Sequence, residues 1–290
     1  MKSLIASELV LNDDGSVYHL KLLPHQISEN IILVGDQDRV ESVSSFFDSI
    51  EHHNRNREYS NCTGLYKGKR ITVLSTGIGT DNIDIALNEL DALVNIDLET
   101  RSPKSSHTSL NLIRIGTSGT LVNDIPLKSF VLSSYAIGLD GLMHFYDYQE
   151  NEEEKLLLKK INRSLDLPSN INKPYLVKAD ESLARKLGEG FYSGITATAP
   201  GFYGPQGREL RIKPFLYDIN ERLSSFQEND LRIVNFEMET SALYGLSGML
   251  GHKACTVCLI IANRPQGVFL NDYKPSMDIL IKTVLDRLNA

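Results

Sequence analysis

The 290-residue chain has only three cysteines and no apolar run long enough to cross a membrane. A small, odd number of cysteines in a chain of this length argues against a secreted domain held together by disulfides. A membrane-spanning helix needs roughly 18 or more consecutive apolar residues, and residues 1–8 also lack the apolar core of a secretion signal. These absences predict a cytoplasmic protein with no membrane partner.

Two of the cysteines, Cys255 and Cys258, have C-x-x-C spacing, but they lie in residues 254–262, an apolar run typical of a buried strand. Side chains three positions apart on a strand point to opposite faces, which is poor geometry for a shared metal ion or a redox pair. No second pair of cysteines or histidines stands nearby to complete a zinc site. We therefore predict structural thiols and no metal site.

The chain also lacks an excess of positive charge, since its formal net charge is −7 and its pI is about 5.5. A general nucleic-acid binder normally carries a basic patch, so nucleic acid is not an expected partner. The composition, 41% hydrophobic and 23% charged, is that of an ordinary globular protein. An acidic protein can still bind phosphate where arginines and backbone amides converge.

Short apolar runs alternate with amphipathic helical stretches along the chain. Strands are predicted at residues 30–35, 70–75, 111–116, 130–134, 175–179, 192–197, 231–236 and 254–262. Helices are predicted after Gly35, after Gly79, at 152–164, before a capping Gly251 and at 278–288. The alternation indicates an α/β fold with helices on both faces of the sheet. Because no repeat or linker divides the chain, we predict a single domain over residues 1–290, with 97–109 as an exposed loop.

The segment 196–208, TATAPGFYGPQGR, combines aromatic residues, loop-forming glycine and proline, and a Gln-x-Arg pair. Gln206 offers a carbonyl acceptor and two amide donors, and Arg208 offers a rigid fork of donors. Together they match a flat ring that alternates carbonyls with an N–H, such as uracil. The alternative is a glycine-rich surface turn with one solvated arginine, and the segment alone does not decide between them.

Glycines, hydroxyls and arginines follow several predicted strands at their carboxyl ends, where ligands bind in open α/β sheets. Gly35 and Arg39 lie between a strand and a helix whose first N–H groups are unpaired, which suits a phosphate. Arg114 lies in an apolar strand that leads to Thr117, so its charge needs an acid or a bound anion as partner. Each feature alone also fits an ordinary turn or an internal ion pair.

Two carboxylates, Glu237 and Glu239, lie two positions apart where a strand meets a helix. They suit the positive end of the helix, and carboxylates also accept hydrogen bonds from adjacent hydroxyls such as the cis pair of ribose. Their closeness in sequence argues against a glycosidase pair, which must flank the bond that breaks. Neither a Ser-His-Asp set nor a Gly-x-Ser-x-Gly motif is apparent. His19, on its own, fits a structural or solvated histidine.

Eight segments in this order resemble the nucleoside phosphorylase family, and within it the uridine phosphorylases, over about residues 17–265: VYHL, GDQDRV, NREY, STGIGTDNIDIALNEL, LIRIGTSGTL, TATAPGFYGPQGR, NFEMETSALYGL and LIIANR. The resemblance implies a three-layer α/β/α fold with a central mixed, twisted sheet. It implies reversible phosphorolysis of uridine, or of deoxyuridine or related pyrimidine nucleosides, to uracil and ribose 1-phosphate. Phosphate is then a co-substrate, no cofactor is required, and the expected homodimers or hexamers (trimers of dimers) share active sites.

The resemblance also implies roles for individual residues by their position. Phosphate would be held by Gly35, Arg39, Arg57, Arg114 and Thr117. Ribose would be held by His19, Glu237, Met238 and Glu239. The base would be bound by Phe202, Gln206, Arg208, Ile261 and Arg264. The neighbouring subunit would supply Arg57 and His19, and catalysis would rest on Arg114, Gln206, Arg208 and Glu239.

The chain departs from the family pattern in places that leave alternatives open. A monovalent-cation site of some bacterial relatives uses a glutamate matching Glu58, a carbonyl matching Ile78 and a hydroxyl where this chain has Asn82, so an ion at a subunit interface stays an open question. The loop 97–109 looks longer than usual and could alter oligomer packing. The alternatives are a purine nucleoside phosphorylase, a hydrolytic nucleosidase of the same fold, and a non-enzymatic nucleoside-binding protein. The arginine set, with Asn263 and Arg264 in place of an acid, favours the pyrimidine enzyme.

Overall fold

The computed structural model describes residues 4–290, in which strands and helices alternate as the sequence pattern predicts. The strands are β1 (Asn30–Val34), β2 (Ser49–Asn56), β3 (Tyr59–Tyr66), β4 (Lys69–Ser75), β5 (Ile96–Asp97), β6 (Ser102–Pro103), β7 (Asn111–Thr120), β8 (Phe130–Gly138), β9 (Tyr175–Lys178), β10 (Tyr192–Thr198), β11 (Gln227–Glu228), β12 (Leu231–Glu237), β13 (Lys253–Asn263) and β14 (Val268–Phe269). The α-helices are α1 (Gln37–Ser44), α2 (Thr80–Asn95), α3 (Glu152–Leu165), α4 (Glu181–Leu187), α5 (Ile219–Ser224), α6 (Thr240–Met249) and α7 (Lys274–Asn289).

Within the described residues, twelve strands form one mixed sheet in the order β11-β12-β10-β8-β13-β7-β1-β4-β3-β2, with β9 beside β8 and β14 beside β13. β1 runs parallel to β4 and β7, and β7 runs parallel to β13. The edge strand β2 pairs with β3 in an antiparallel manner. β12 also pairs with β7 through Asn235 and Phe236, which closes β7, β13, β8, β10 and β12 into a ring. The mixed sheet confirms the predicted fold class, and the ring was not predicted.

Helices cover both faces of the sheet, as predicted. Ile31 and Leu33 pack in a cluster with residues of α2 and α6, whereas Ile32 and Val34 pack with residues of α1 and α7. Successive residues of a strand point to opposite faces, so a strand covered on both sides has to be apolar throughout, as residues 31–34 are. Among the helices of residues 4–290, none is both long and apolar enough to span a bilayer.

Several elements differ from the sequence prediction in length or in kind. β7 and β8 continue beyond their predicted ends at 116 and 134, because residues 117–120 and 135–138 still pair with neighbouring strands. β2 and the six-residue α5 escaped prediction, since β2 is polar and largely exposed and α5 is too short for a clear period. The predicted loop 97–109 contains β6 and the second residue of β5, which together form a small hairpin. Gly251 follows α6 with a φ of +74°, the conformation expected of a helix-capping glycine.

The three cysteines, Cys62, Cys255 and Cys258, are free and buried. Burial raises the pKa of the Cys255 and Cys258 thiols to about 12, because a low-dielectric environment disfavours the thiolate. Thiols in this state are poor nucleophiles and poor metal ligands. The structural role predicted for the C-x-x-C pair agrees with this geometry.

Candidate active site

A cavity of about 920 Å³ opens where β1, β7, β12 and β13 end. Carboxyl ends of parallel strands meet at one edge of a sheet, so loops that are far apart in sequence come together there. Most of the predicted site residues line this cavity: Gly35, Arg39, Arg114, Thr117, Phe202, Gln206, Arg208, Glu237, Met238, Glu239 and Ile261. The predicted residues that do not line it are His19, Arg57 and Arg264.

Arg39 is a buried cation without a carboxylate partner. It lies in the first turn of α1, is 8% exposed, and its Nη1 donates a long hydrogen bond of 3.5 Å to the Ile115 carbonyl. Within residues 4–290 no carboxylate lies within 4 Å of its guanidinium. Burial lowers the pKa of Arg39, and the nearby Arg114 cation lowers it further, while Tyr273 acts in the opposite direction. Such a site favours a bound anion, because a buried charge needs compensation.

Arg114 is the central cation of the cavity. Its Nη2 pairs with Glu239 Oε2, and its Nη1 lies 3.5 Å from Glu237 Oε2. Burial alone would lower the pKa of Arg114, but the two carboxylates raise it above its ordinary value. Gly116 makes this arrangement possible, since a Cβ at that position would lie 2.0 Å from Arg114 Nη1. The Nε atom of Arg114 is buried without a hydrogen-bond partner among the described residues, so one donor is still free.

The two predicted ribose carboxylates have different surroundings. Glu237 accepts the backbone N–H groups of Glu239 at 2.9 Å and Thr240 at 3.0 Å, together with the Thr198 hydroxyl at 2.6 Å. It therefore caps α6 and is largely saturated. Glu239 accepts the Gly79 N–H at 2.9 Å in addition to its bond with Arg114. Burial, helped by the neighbouring Glu237 charge, raises the pKa of Glu239 to about 7 in spite of Arg114. Glu239 is thus the carboxylate with capacity to bind a sugar hydroxyl.

Gln206 and Arg208 form a preassembled pair on the loop after β10. Gln206 is 3% exposed, and its Oε1 accepts a hydrogen bond of 2.5 Å from Arg208 Nη1. Arg208 Nη1 also donates to the Phe202 carbonyl at 2.7 Å, and its guanidinium carbon lies 3.8 Å from the Phe202 ring centroid. Burial lowers the pKa of Arg208 to about 10, and the Arg264 cation adds to this effect. A solvated surface turn does not describe this geometry.

Arg264 lies behind the loop that carries Gln206 and Arg208 and does not line the cavity. Its Nη2 donates to the main-chain carbonyl of Gln206 at 3.2 Å, and it lines a second cavity on the other side of the loop. A sequence motif places the residue next to Ile261 but does not determine which way its side chain turns. Arg264, predicted to line the base pocket, instead contacts the main chain of Gln206.

His19 and Arg57 lie close to each other but away from the cavity of their own chain. His19 Nδ1 contacts Glu89 Oε1 at 2.6 Å, and the His19 carbonyl accepts the Asn56 side-chain amide at 2.8 Å. Arg57 is exposed, donates to the Tyr18 hydroxyl at 3.2 Å and lies 5.2 Å from the Tyr18 ring centroid. Two residues expected to serve another subunit thus occupy one surface region.

Phe269 and Tyr273 are wall residues that escaped the sequence analysis, whereas Ser118 lies in a motif singled out there but was given no role. Ser118 accepts a hydrogen bond of 2.8 Å from Asn235, which belongs to a buried polar chain inside the strand ring. Tyr273 precedes α7 and lies close enough to Arg39 to raise the pKa of that guanidinium. Phe269 and Tyr273 come from a polar, Gly-containing segment without a motif, so only the fold could bring them to the cavity.

The residues that match a cation site elsewhere in the family do come together here. Glu58, Ile78 and Asn82 all line the edge of the cavity. However, Asn82 Nδ2 donates to the Ile78 carbonyl at 3.3 Å, so a side-chain amide already satisfies this oxygen. Asn82 therefore presents an amide donor to the Ile78 carbonyl at the position where those relatives have a hydroxyl.

A histidine cluster outside the cavity involves the loop 97–109. Asp91, His107 and His252 place one ligand atom each within 4.8 Å of one another. His252 Nδ1 accepts the Leu110 N–H at 3.2 Å, so in the neutral ring the proton sits on Nε2, which faces Asp91 at 3.3 Å. A protonated Nε2 cannot ligate a metal, and the cluster is better described as a contact that ties the loop to α2 and β13.

Residues 29–283 match the model of the Phosphorylase superfamily, and the chain belongs to this family. Within it, the prediction of a nucleoside phosphorylase of the uridine phosphorylase-like kind, and with it the pentosyltransferase class, is confirmed by the relatives.

Two curated relatives and one solved structure illustrate this similarity. The uridine phosphorylase of Thermococcus kodakarensis is 30% identical over 278 residues, which cover 93% of this chain and 85% of the relative. A DeoD-type purine nucleoside phosphorylase of Brevibacillus brevis is 28% identical over 83% of this chain and 85% of its own length. The crystal structure of a Trypanosoma brucei nucleoside phosphorylase, described as showing uridine phosphorylase activity, superposes with a TM-score of 0.88 and 29% identity over 97% of this chain and 100% of that chain.

Proposed function

We propose that this protein is a uridine phosphorylase, which converts uridine or a related pyrimidine nucleoside and phosphate reversibly into the free base and a pentose 1-phosphate. One observation carries the proposal: a single cavity holds an unpaired buried arginine, a carboxylate with free capacity and a preassembled Gln-Arg pair. Arg39 beside Arg114 suits phosphate, Glu239 suits the ribose hydroxyls, and Gln206 with Arg208 suits the uracil edge.

The reaction follows from this arrangement of groups. Phosphate at Arg39 and Arg114 attacks the anomeric carbon, so that a C–O bond forms while the C–N bond to the base breaks. The electron pair of the C–N bond leaves with the base, where Gln206 and Arg208 stabilise it more strongly in the transition state than in the ground state. The base then takes a proton from water to give uracil. Positioning and charge stabilisation suffice, and no acid–base side chain is required.

The geometry supports this function over its alternatives. A hydrolytic nucleosidase or a simple nucleoside-binding protein has no use for Arg39, a buried cation without a carboxylate. A purine phosphorylase, the activity named for the Brevibacillus brevis relative, needs no Gln206–Arg208 pair that matches the carbonyl and N–H pattern of uracil.

The proposal includes the setting of the reaction. Residues 1–290 act as one domain, phosphate is the co-substrate, and no cofactor is required. The three free, buried thiols fit a reducing compartment, which supports a cytoplasmic location.

A test of the proposal compares base release from uridine, deoxyuridine, thymidine and inosine at saturating phosphate. Uridine or another pyrimidine nucleoside is expected to react fastest, because Gln206 and Arg208 pair with the uracil edge. If inosine reacts fastest, the purine alternative replaces this proposal. If the release rate does not depend on phosphate, the hydrolytic alternative replaces it.

The proposed enzyme shares its active sites between two chains, in a homodimer or in a hexamer built from dimers. The support is the joint position of His19 and Arg57 on a surface outside their own cavity. Subunit sharing is a symmetric arrangement, in which each chain of a dimer gives the same residues to its partner.

Mixing two inactive variants tests this sharing. Arg39→Met removes a residue from the chain's own cavity, and Arg57→Ala removes the residue given to the partner. In mixed dimers one site carries both substitutions and the other carries neither, so co-expression is expected to restore about one quarter of wild-type activity. Steady-state phosphorolysis of uridine measures the recovery. No recovery from well-folded mixed dimers would mean that Arg57 acts within its own chain.

A further inference from the structure

A second cavity of about 730 Å³ lies behind the loop that carries Gln206 and Arg208. Asn220 and Arg264 both line this cavity, and both donate to the same atom, the main-chain carbonyl oxygen of Gln206. The donor–acceptor distances are 3.3 Å from Asn220 Nδ2 and 3.2 Å from Arg264 Nη2. The Gln206 side chain meanwhile lines the nucleoside cavity. Gln206 therefore lies between the first cavity and two side chains that line the second, and both of these side chains hold its main-chain carbonyl.

Helix α5 supports the same turn through packing. Gly207, which follows Gln206, has a φ of +66°, and a Cβ there would lie 3.0 Å from Ile219 Cγ2 and 3.2 Å from Asn220 Nδ2. Ile219 itself is buried in a core cluster with strands of the ring. The absence of a side chain at Gly207 lets the turn lie directly on the first turn of α5. The position of Gln206 is thus set by α5, an element about a dozen residues further along the chain.

Asn220 makes one side-chain hydrogen bond within the described residues, and it goes to Gln206. Its Oδ1 is buried without a hydrogen-bond partner, as is Nη1 of Arg264. A buried, half-satisfied amide is unfavourable compared with an apolar residue of the same shape. Asn220 therefore lowers stability relative to an apolar residue, and a residue of this kind commonly serves function.

We infer that Asn220 is a positioning residue that sets the base specificity of the enzyme, by fixing the Gln206 carbonyl together with Arg264. The inference rests on the proposed function and extends it to a residue that does not touch substrate. With the carbonyl released, the Gln206 amide loses its fixed place opposite the uracil edge. Gln206 can then also move toward the second cavity. The first cavity gains space for a purine, which is larger than uracil.

The variant Asn220→Leu tests this role, because leucine has nearly the same volume but cannot donate a hydrogen bond. The kcat/KM for uridine is expected to fall about 10- to 100-fold, and the ratio of uridine to inosine kcat/KM is expected to fall at least about tenfold. The KM for phosphate should stay within about twofold, since Arg39 and Arg114 are untouched. Ser224→Ala is the matched control, since Ser224 lies on the same helix and lines the same cavity without contacting Gln206. An unchanged uridine-to-inosine ratio in a folded Asn220→Leu protein would overturn the inference.

A second readout does not depend on the substrate. The N–H groups of Gln206, Gly207 and Arg208 are hydrogen-bonded within the turn, to Tyr203 and Gly204. Hydrogen exchange of these amides, measured by mass spectrometry without ligand, is expected to be at least about tenfold faster in Asn220→Leu than in wild type or Ser224→Ala. Equal exchange in all three proteins overturns the positioning role. Faster exchange in an enzyme that fails to cleave uridine would keep the positioning role and refute the proposed substrate instead.

Discussion

Replacing Arg39 with methionine is expected to lower phosphorolysis about 100- to 1000-fold while leaving the free protein at least as stable as the wild type. The activity falls because the attacking phosphate loses a charged donor. Stability is kept because Arg39 is a buried cation whose pKa is lowered by burial and by Arg114, with no carboxylate within 4 Å among the described residues. Removing an uncompensated buried charge relieves a desolvation cost. Phosphate-saturation kinetics and thermal unfolding measure the two effects.

The stabilisation of the protein by bound phosphate tests the same role of Arg39 without a nucleoside. Phosphate at about 100 times its Kd should raise the unfolding free energy of the wild type by about 2.7 kcal/mol, and should have little effect on Arg39→Met. Arg232→Met is the matched variant, because Arg232 pairs with Asp124 at 2.8 Å and does not line the nucleoside cavity. It should lose a little stability and keep its affinity for phosphate. Normal phosphate kinetics in Arg39→Met would contradict the assignment of the anion site.

Replacing Arg208 with alanine is expected to lower kcat/KM for uridine about 100- to 1000-fold and for inosine less than about tenfold. Arg208 orders the Gln206 amide through a hydrogen bond of 2.5 Å and presents a partly buried cation to the departing base. Loss of the guanidinium removes both the charge that stabilises the leaving uracil and the orientation of Gln206. The preference for uridine over inosine should therefore collapse.

Arg211→Ala controls for the loss of any arginine from this loop, because Arg211 is exposed and lies outside the cavity. It should leave the kinetics of both nucleosides unchanged. An unaltered uridine-to-inosine ratio in Arg208→Ala, with normal folding, would show that base recognition lies elsewhere in the cavity.

Much of the fold and of the candidate site can be predicted from the sequence, because apolar runs mark the strands and the residues that follow them mark the sheet edge where ligands bind. Gly35, Arg39, Arg114 and Thr117 each follow or lie in an apolar strand, and parallel strands bring their carboxyl ends to one edge. The meeting of Arg39 and Arg114 in one cavity is a consequence of that geometry. The burial of Gln206 did not follow from its glycine-rich loop, since the same segment also fits a solvated surface turn.

The remaining features depend on contacts between distant parts of the chain. Glu237 and Glu239 look equivalent in the sequence and both line the cavity, yet Glu237 is largely saturated by the start of α6 whereas Glu239 pairs with Arg114. The support of Gln206 by Asn220 joins two segments through a helix too short to predict. The closure of the ring through β12 and β7 is a long-range strand pairing, which no local pattern encodes.

The most direct measurement of the central claim follows the products of uridine cleavage with and without phosphate. Purified protein is incubated with uridine, and uracil and ribose 1-phosphate are quantified together by chromatography and phosphorus NMR. We expect the two products in equal amounts, and no uracil when phosphate is omitted. Absence of uracil in the presence of phosphate, or uracil release that continues without phosphate and yields free ribose, would contradict the account.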